Sequence, residues 1–391
     1  MRPIDPDALP ASIYRGPFHE RQKAMGAAFY EDMDCLWTAH FGDPVQEYWA
    51  VRRNVGMWDV SSLVKFEFSG PDARLALDRL TTRSMAQAAP GTMRYCAVLD
   101  ENGAMLDEAT LCVIHPERAY LIGNDERPDF VAHLHRHTAG LRVEIVNVTR
   151  AMGNLAIQGP RALEVLAPLL DVDVRSLKWF QCLTQPVRLA GVQGWLMRSG
   201  FTGELGYEFF LGADEDGGRR VWDALRQARV APIGLDAIEK LRIEFGLRSQ
   251  GNDYFPGLTD PYDLSMDAYI DLDHAFIGRD ACLRAASGPD KRFKTLVFAA
   301  DDPLPAHLAP VLRDGVCIGD IRSAQHSPRF GTLALAVLRS ADAVDGSLVD
   351  VGGRRATVRP VPLDPEKRPA ADPLAWRAMP APTPGTPRPD A

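Results

Sequence analysis

Apolar and polar positions alternate at Val64, Phe66 and Phe68, which predicts a strand that breaks at Ser69-Gly70-Pro71. The following DARLALDRL, with Leu75 among its apolar positions, has the spacing of a helix. The same order of strand, turn and helix recurs in LAIQGPRALEVLAPLL. There Leu155 to Ile157 is strand-like, Gly159-Pro160 turns the chain, and Pro160 suits the first helical position. This weak repeat predicts two similar α+β halves. Between them TLCVI (110–114), YLIG (120–123) and RVEIV (142–146) predict short antiparallel strands with turns such as Asn102-Gly103.

Further along, RRVWDALRQAR and LDAIEKLRIEFGL place Val221 and Leu225, then Leu235, Ile238, Leu241 and Phe245, at helical spacing. Positions 238 and 242 share a face. From Phe293 the pattern changes to short strands and turns, predicting a separate β domain that reaches about residue 362, with a boundary near 285–292. The division expected is an extension over 1–14, two α+β subdomains over 15–285, a β-barrel-like domain over 292–362 and a tail over 364–391. The last 30 residues carry nine prolines and few aliphatic side chains, so they lack the apolar surface needed to order themselves.

With 391 residues, the chain is long enough for two or three domains of about 100–200 residues each. Its 46% hydrophobic and 25% charged content is that of a globular protein. A net charge of -8 without a dense basic run argues against nucleic acid as a partner. No stretch approaches the roughly 18 apolar residues of a membrane span, and the N-terminus has no signal-like apolar region; a cytoplasmic protein is expected. Six cysteines without a CxxC pair support neither a zinc ribbon nor a disulfide scaffold.

GxGxxG, Walker A, HExxH and GxSxG motifs are all absent. His133, His135 and His137 read as incidental residues of a surface helix, because positions two apart face different sides, and no metal site is expected. Asp107 and Glu108 stand between apolar runs. On a strand they point to opposite faces, so either the pair is a solvated turn or one carboxylate enters the interior as a base or acceptor. RSGFTGELGYEFF sets Glu204 among aromatic residues and glycines that either bring backbone close to a flat ligand or form a bulged turn.

It is the order of the pieces that carries further. GMWDVSSL (56–63), YCAVLDENGAMLDE (95–108), IGND (122–125), LAIQGPRA (155–162), SGFTGELGYE (199–208), PIGLDAIEKLRIEFGL (232–247), DHAFIGRDA (273–281) and IGDIRSAQHSPRFG (318–331) follow one another. Over about residues 15–362 this succession strongly resembles the glycine cleavage T-protein (aminomethyltransferase) superfamily of tetrahydrofolate enzymes. The resemblance implies an α+β, three-domain, cloverleaf-like fold with an antiparallel C-terminal barrel and tetrahydrofolate in a central channel. It implies a catalytic role for Asp107 at the folate amine, folate-pocket roles for Tyr95 and Asn124, and a pterin contact for Glu204. Arg242 and Glu244 match the family's LRLE helix, as folate ligands or as members of an ion pair.

Two departures qualify the activity. Ile238 replaces a family arginine, and Trp58 stands where the T-protein has Phe. The first counts against aminomethyl transfer, and a tryptophan at 58 resembles the branch that demethylates small molecules onto tetrahydrofolate, such as dimethylsulfoniopropionate demethylase and the aromatic O-demethylases. The main expectation is therefore transfer of a methyl group from a small methylated substrate to N5 of tetrahydrofolate. Trp58, Trp179 and Phe201 are the expected substrate contacts, with core packing their alternative role. The alternatives are aminomethyl transfer with a lipoylated carrier protein, and a folate-binding protein without catalysis. The KGCYxGQ mark of the last class is missing, since the corresponding stretch reads LDHAFIGRDAC.

Overall fold

The computed structural model describes residues 3–363, so the proline-rich 364–391 expected as a tail lies outside the described residues. A five-stranded antiparallel sheet has the order Met93–Leu99, Met105–His115, Arg118–Gly123, Val64–Ser69, Glu144–Asn147. The helices Ala73–Leu80 and Pro128–Thr138 close one face over Phe66, Phe68, Leu111 and Leu121. In the first helix Ala73, Ala76, Leu77 and Leu80 form the buried stripe, and Leu75 faces solvent.

The other face is covered as well. Met93, Cys112, Ile114, Tyr120 and Ile122 pack on Cys182, Met197 and Phe210 of a second sheet. Lys65, a polar position of the alternating strand, is consequently buried; its Nζ donates to the carbonyls of Ser61 (2.9 Å) and Leu63 (2.7 Å). Burial pushes its ammonium down to about 7.

The second sheet runs Gln181–Cys182, Val192–Arg198, Gly206–Gly212, Met152–Gln158, Gly56–Asp59, Ala231–Pro232, with Val187–Leu189 paired to Val192–Arg198. Both halves of the weak repeat form. Gly70 and Gly159 each turn the chain at positive φ, where a Cβ would meet the carbonyl oxygen of Arg142 or Asn54 within 2.4 Å and 2.3 Å respectively. The second helix begins at Ala162, so Pro160 lies in the preceding turn rather than at the first helical position.

The helix Glu215–Gln227 buries Val221, Trp222 and Leu225 against the second sheet. Six antiparallel strands between Lys291 and Arg359 close into a barrel.

The helix Leu235–Phe245 joins these bodies. It ends at Gly246 in the left-handed conformation and packs on the helix Pro44–Arg53, the strand Cys35–His40 and two barrel strands. Two of its charges, Arg242 and Glu244, are buried, so each needs a partner. Arg52 donates to Glu204 Oε1 (2.9 Å) and Glu244 Oε2 (2.7 Å), both pairs with side chains at most 4% exposed. It also donates to the Thr202 carbonyl at 2.8 Å. Tyr48 Oη and Ser327 Oγ donate to Glu244 Oε1, the serine from the barrel.

Replacing Arg52 with Met strands two carboxylates in a desolvated site and is expected to cost about 3–5 kcal/mol. The exposed pair Lys291–Asp263 serves as control, where Lys291→Ala should change stability by less than about 0.5 kcal/mol. Urea denaturation of the two variants beside the parent measures both.

Candidate active site

A cavity of about 740 Å³ lies where the two sheets and the helix Leu235–Phe245 meet. Tyr95, Glu108 and Asn124 come to it from the five-stranded sheet and the turn after it, Trp58 from the second sheet, and Phe201 and Glu204 from the glycine-rich loop. Trp179 and Phe180 line it too, with ring centroids 5.3 Å apart. Six of the eight residues expected at the site, scattered between positions 58 and 204, thus share one cavity.

Asp107 is placed differently. Its side chain is fully buried, one layer beneath the wall, and both carboxylates of the pair are buried rather than one being solvated. The backbone N–H of Asn124 donates to Oδ2 at 2.7 Å and that of Asp125 at 3.1 Å. Asn124 Nδ2 and Tyr254 Oη each donate to Oδ1 at 2.9 Å. Gly123 makes this possible, since a Cβ there would lie 2.4 Å from Asp107 Oδ2.

Glu108 is the carboxylate at the cavity wall. Tyr95 Oη donates to its Oε2, and its backbone N–H bonds Tyr254 Oη at 3.1 Å. Burial raises Asp107 to about 6 against the hydrogen bonds from Asn124 and Tyr254, which hold it down. Burial raises Glu108 to about 8, and the neighbouring charge of Asp107 adds to the rise. Of the pair, Asp107 is the readier to ionise and Glu108 the readier to keep its proton, a separation typical of acid and base partners.

Arg242 is the clear correction. Its side chain is wholly buried and does not line the cavity. All five guanidinium N–H groups are engaged: with Glu239 (2.7 and 2.6 Å), Asp253 (2.8 Å), the Leu247 carbonyl (3.0 Å) and Ser323 Oγ (2.9 Å). An arginine in this position needs such compensation, and no donor is left for a ligand. The ion-pair role is the one the structure gives it, and Glu244 likewise holds Arg52. Glu204 faces the cavity while its Oε1 accepts from Arg52, so its negative charge is compensated from behind.

Three groups, Tyr254, Arg52 and Trp37, escaped the sequence reading. Tyr254 reaches Asp107 across 147 positions, and Arg52 reaches Glu244 across 192, with no local motif to announce either. Glu108 was visible as half of a pair, but its separate role follows only from which face is covered. Trp37 also stacks near Trp58, centroids 6.4 Å apart, and lines the cavity with it. The Trp58 indole N–H has no partner among the described residues.

The chain is similar to known proteins over nearly its whole described length. Residues 18–274 match the GCVT N-terminal domain, and residues 291–365 match the glycine cleavage T-protein C-terminal barrel domain. An aminomethyltransferase of Herpetosiphon aurantiacus is 30% identical over 88% of this chain and 95% of its own. A probable aminomethyltransferase of Natronomonas pharaonis is 34% identical over 82% of this chain and 89% of its own. The crystal structure of the glycine cleavage system aminomethyltransferase T from Bartonella henselae superposes with a TM-score of 0.81 at 26% identity, covering 90% of this chain and 98% of that one. With both halves of the fold and the closed barrel matched in chain order, this chain belongs to the glycine cleavage T-protein family.

Proposed function

We propose that the chain transfers a one-carbon unit from an aminomethyl donor to tetrahydrofolate, with Glu108 as the acid at the cavity wall. The acid and base separation of Glu108 and Asp107 beside a cavity of about 740 Å³ carries this reading. A cavity of several hundred Å³ with aromatic walls and few converging polar groups is of the kind that takes a flat heterocyclic ligand. The residues fit a reduced pterin: Glu204 and Asn124 offer acceptors, and Trp179, Phe180 and Phe201 offer flat apolar faces. When bound, tetrahydrofolate supplies the nucleophilic nitrogen that takes up the carbon.

The residues of this chain do the rest. Glu204, braced by Arg52, accepts N–H groups of the ligand and sets its orientation. Glu108 delivers a proton to the leaving group, and Tyr95 holds its carboxyl in place. Asp107 keeps its negative charge beneath the wall, orients the Asn124 amide and keeps the neighbouring proton on Glu108. The aminomethyl donor is proposed to be a lipoylated carrier protein, in line with the aminomethyltransferase relatives.

A second reading, demethylation of a small methylated substrate, has its own support. Trp37 and Trp58 form an aromatic wall, and Ile238 is buried in the cluster behind Trp58 where a family arginine would have added charge. Such a wall suits a cationic methyl donor. Mass spectrometry of the folate product separates the two: 5,10-methylene-tetrahydrofolate is expected with an aminomethyl-loaded carrier, and 5-methyl-tetrahydrofolate with sulfonium or betaine donors alone would give the second reading the site.

Turnover should be bell-shaped in pH. It rises as Asp107 ionises near about 6 and falls as Glu108 loses its proton near about 8. Glu108→Gln is expected to lower kcat by about 10²–10⁴-fold and to remove the alkaline limb. An unchanged alkaline limb in that variant would take the acid role from Glu108. Tyr254→Phe removes a hydrogen bond that favours ionised Asp107, so the acid limb should move up by about one pH unit while folate affinity is retained.

A further inference from the structure

Away from the cavity, the helix Pro128–Thr138 carries His133 and His137 one turn apart on the same face. Their rings approach to 4.5 Å between centroids, and Glu101 from the hairpin tip before Met105–His115 meets them. One ligand atom from each of the three lies within 4.8 Å of the other two. His133 was expected on a surface helix; it is 2% exposed, and its Nε2 is buried with no hydrogen-bond partner among the described residues. Two imidazoles one helical turn apart with a carboxylate beside them are a donor set of the kind that holds a zinc-class ion.

The frame is rigid. Asp100 Oδ1 accepts from the backbone of Asn102 (2.9 Å) and Ala104 (2.8 Å), closing the turn that bears Glu101. Gly103 in that turn sits at positive φ against Ala281, where a Cβ would approach to 2.5 Å. The helix end is tied to the first helix by Arg79, which donates to the His137 carbonyl at 3.2 Å.

We propose that Glu101, His133 and His137 form a three-ligand site for a divalent transition metal of the zinc class, with its remaining position open to water. Two imidazoles and one carboxylate suit zinc, cobalt or nickel rather than magnesium or calcium. The three side chains are also held by other contacts: His137 Nε2 lies 2.9 Å from Glu101 Oε1, and Arg136 reaches Glu101 (3.5 Å), His133 Nδ1 (3.5 Å) and His137 Nε2 (3.4 Å). Arg136 is 62% exposed at its side chain and can swing into solvent, so it stands as a competing cation for the same charges.

Cobalt(II) titration of the full chain, followed by visible absorption and by competition with zinc, tests the assignment. Cys317→Ser is the background, because that thiol is the exposed one. The expected result is saturable one-to-one binding with an imidazole-type spectrum. His137→Ala and Glu101→Gln should weaken it more than about tenfold, and Arg136→Ala should tighten it. Circular dichroism checks that each variant is folded, and His137 and Glu101 are chosen over the buried His133 for that reason. Non-saturating binding, or equal affinity in His137→Ala, Glu101→Gln and the parent, overturns the proposal.

Discussion

A buried guanidinium must be paired, and that requirement organises the centre of this molecule. Arg52 from the helix Pro44–Arg53 binds Glu204 of the glycine-rich loop and Glu244 of the helix Leu235–Phe245. Arg242, two residues before Glu244, binds Asp253 and reaches Ser323 in the barrel. Three parts of the fold are thus held in register by charges that have no good alternative once water is excluded. The apolar clusters supply most of the attraction, but they are non-directional, and it is the ion pairs that set which residue faces which.

The cavity inherits its properties from this arrangement. Glu204 enters it with its charge compensated from behind, and the two sheets that press on each other bury Asp107 and Glu108 together. Two adjacent carboxylates in one dry site do not both ionise near neutrality. Hydrogen bonds from Asn124, Asp125 and Tyr254 decide that Asp107 carries the charge, and the lone tyrosine contact at Glu108 leaves the proton there. The chemical asymmetry therefore follows largely from hydrogen-bond number: more donors converge on Asp107 than on Glu108.

The same logic separates the expected residues that line the cavity from those that do not. Tyr95, Asn124 and Glu204 reach the cavity because short strands and a glycine-rich turn point them there. Arg242 sits on the right helix but on its inward face, so pairing consumed every donor it has. Lys65 shows the converse: a polar residue that alternation assigns to solvent becomes buried when a second layer covers that face, and His133 is likewise buried on a helix read as a surface one.

Periodicity within the chain determined the elements themselves. The alternation at Val64–Phe68, the two helical stripes at 221–225 and 235–245 and the change to short strands after Phe293 are local patterns, and local sterics and hydrophobic spacing suffice to read them. The ordered motifs likewise carried the family and most of the cavity wall. What the tertiary structure alone decided is which faces are covered, hence which carboxylate keeps its proton, which arginine is spent on pairing, and which histidines meet. These depend on desolvation and on contacts across up to 192 positions, such as Arg52 to Glu244, and neither quantity exists until the layers close on one another.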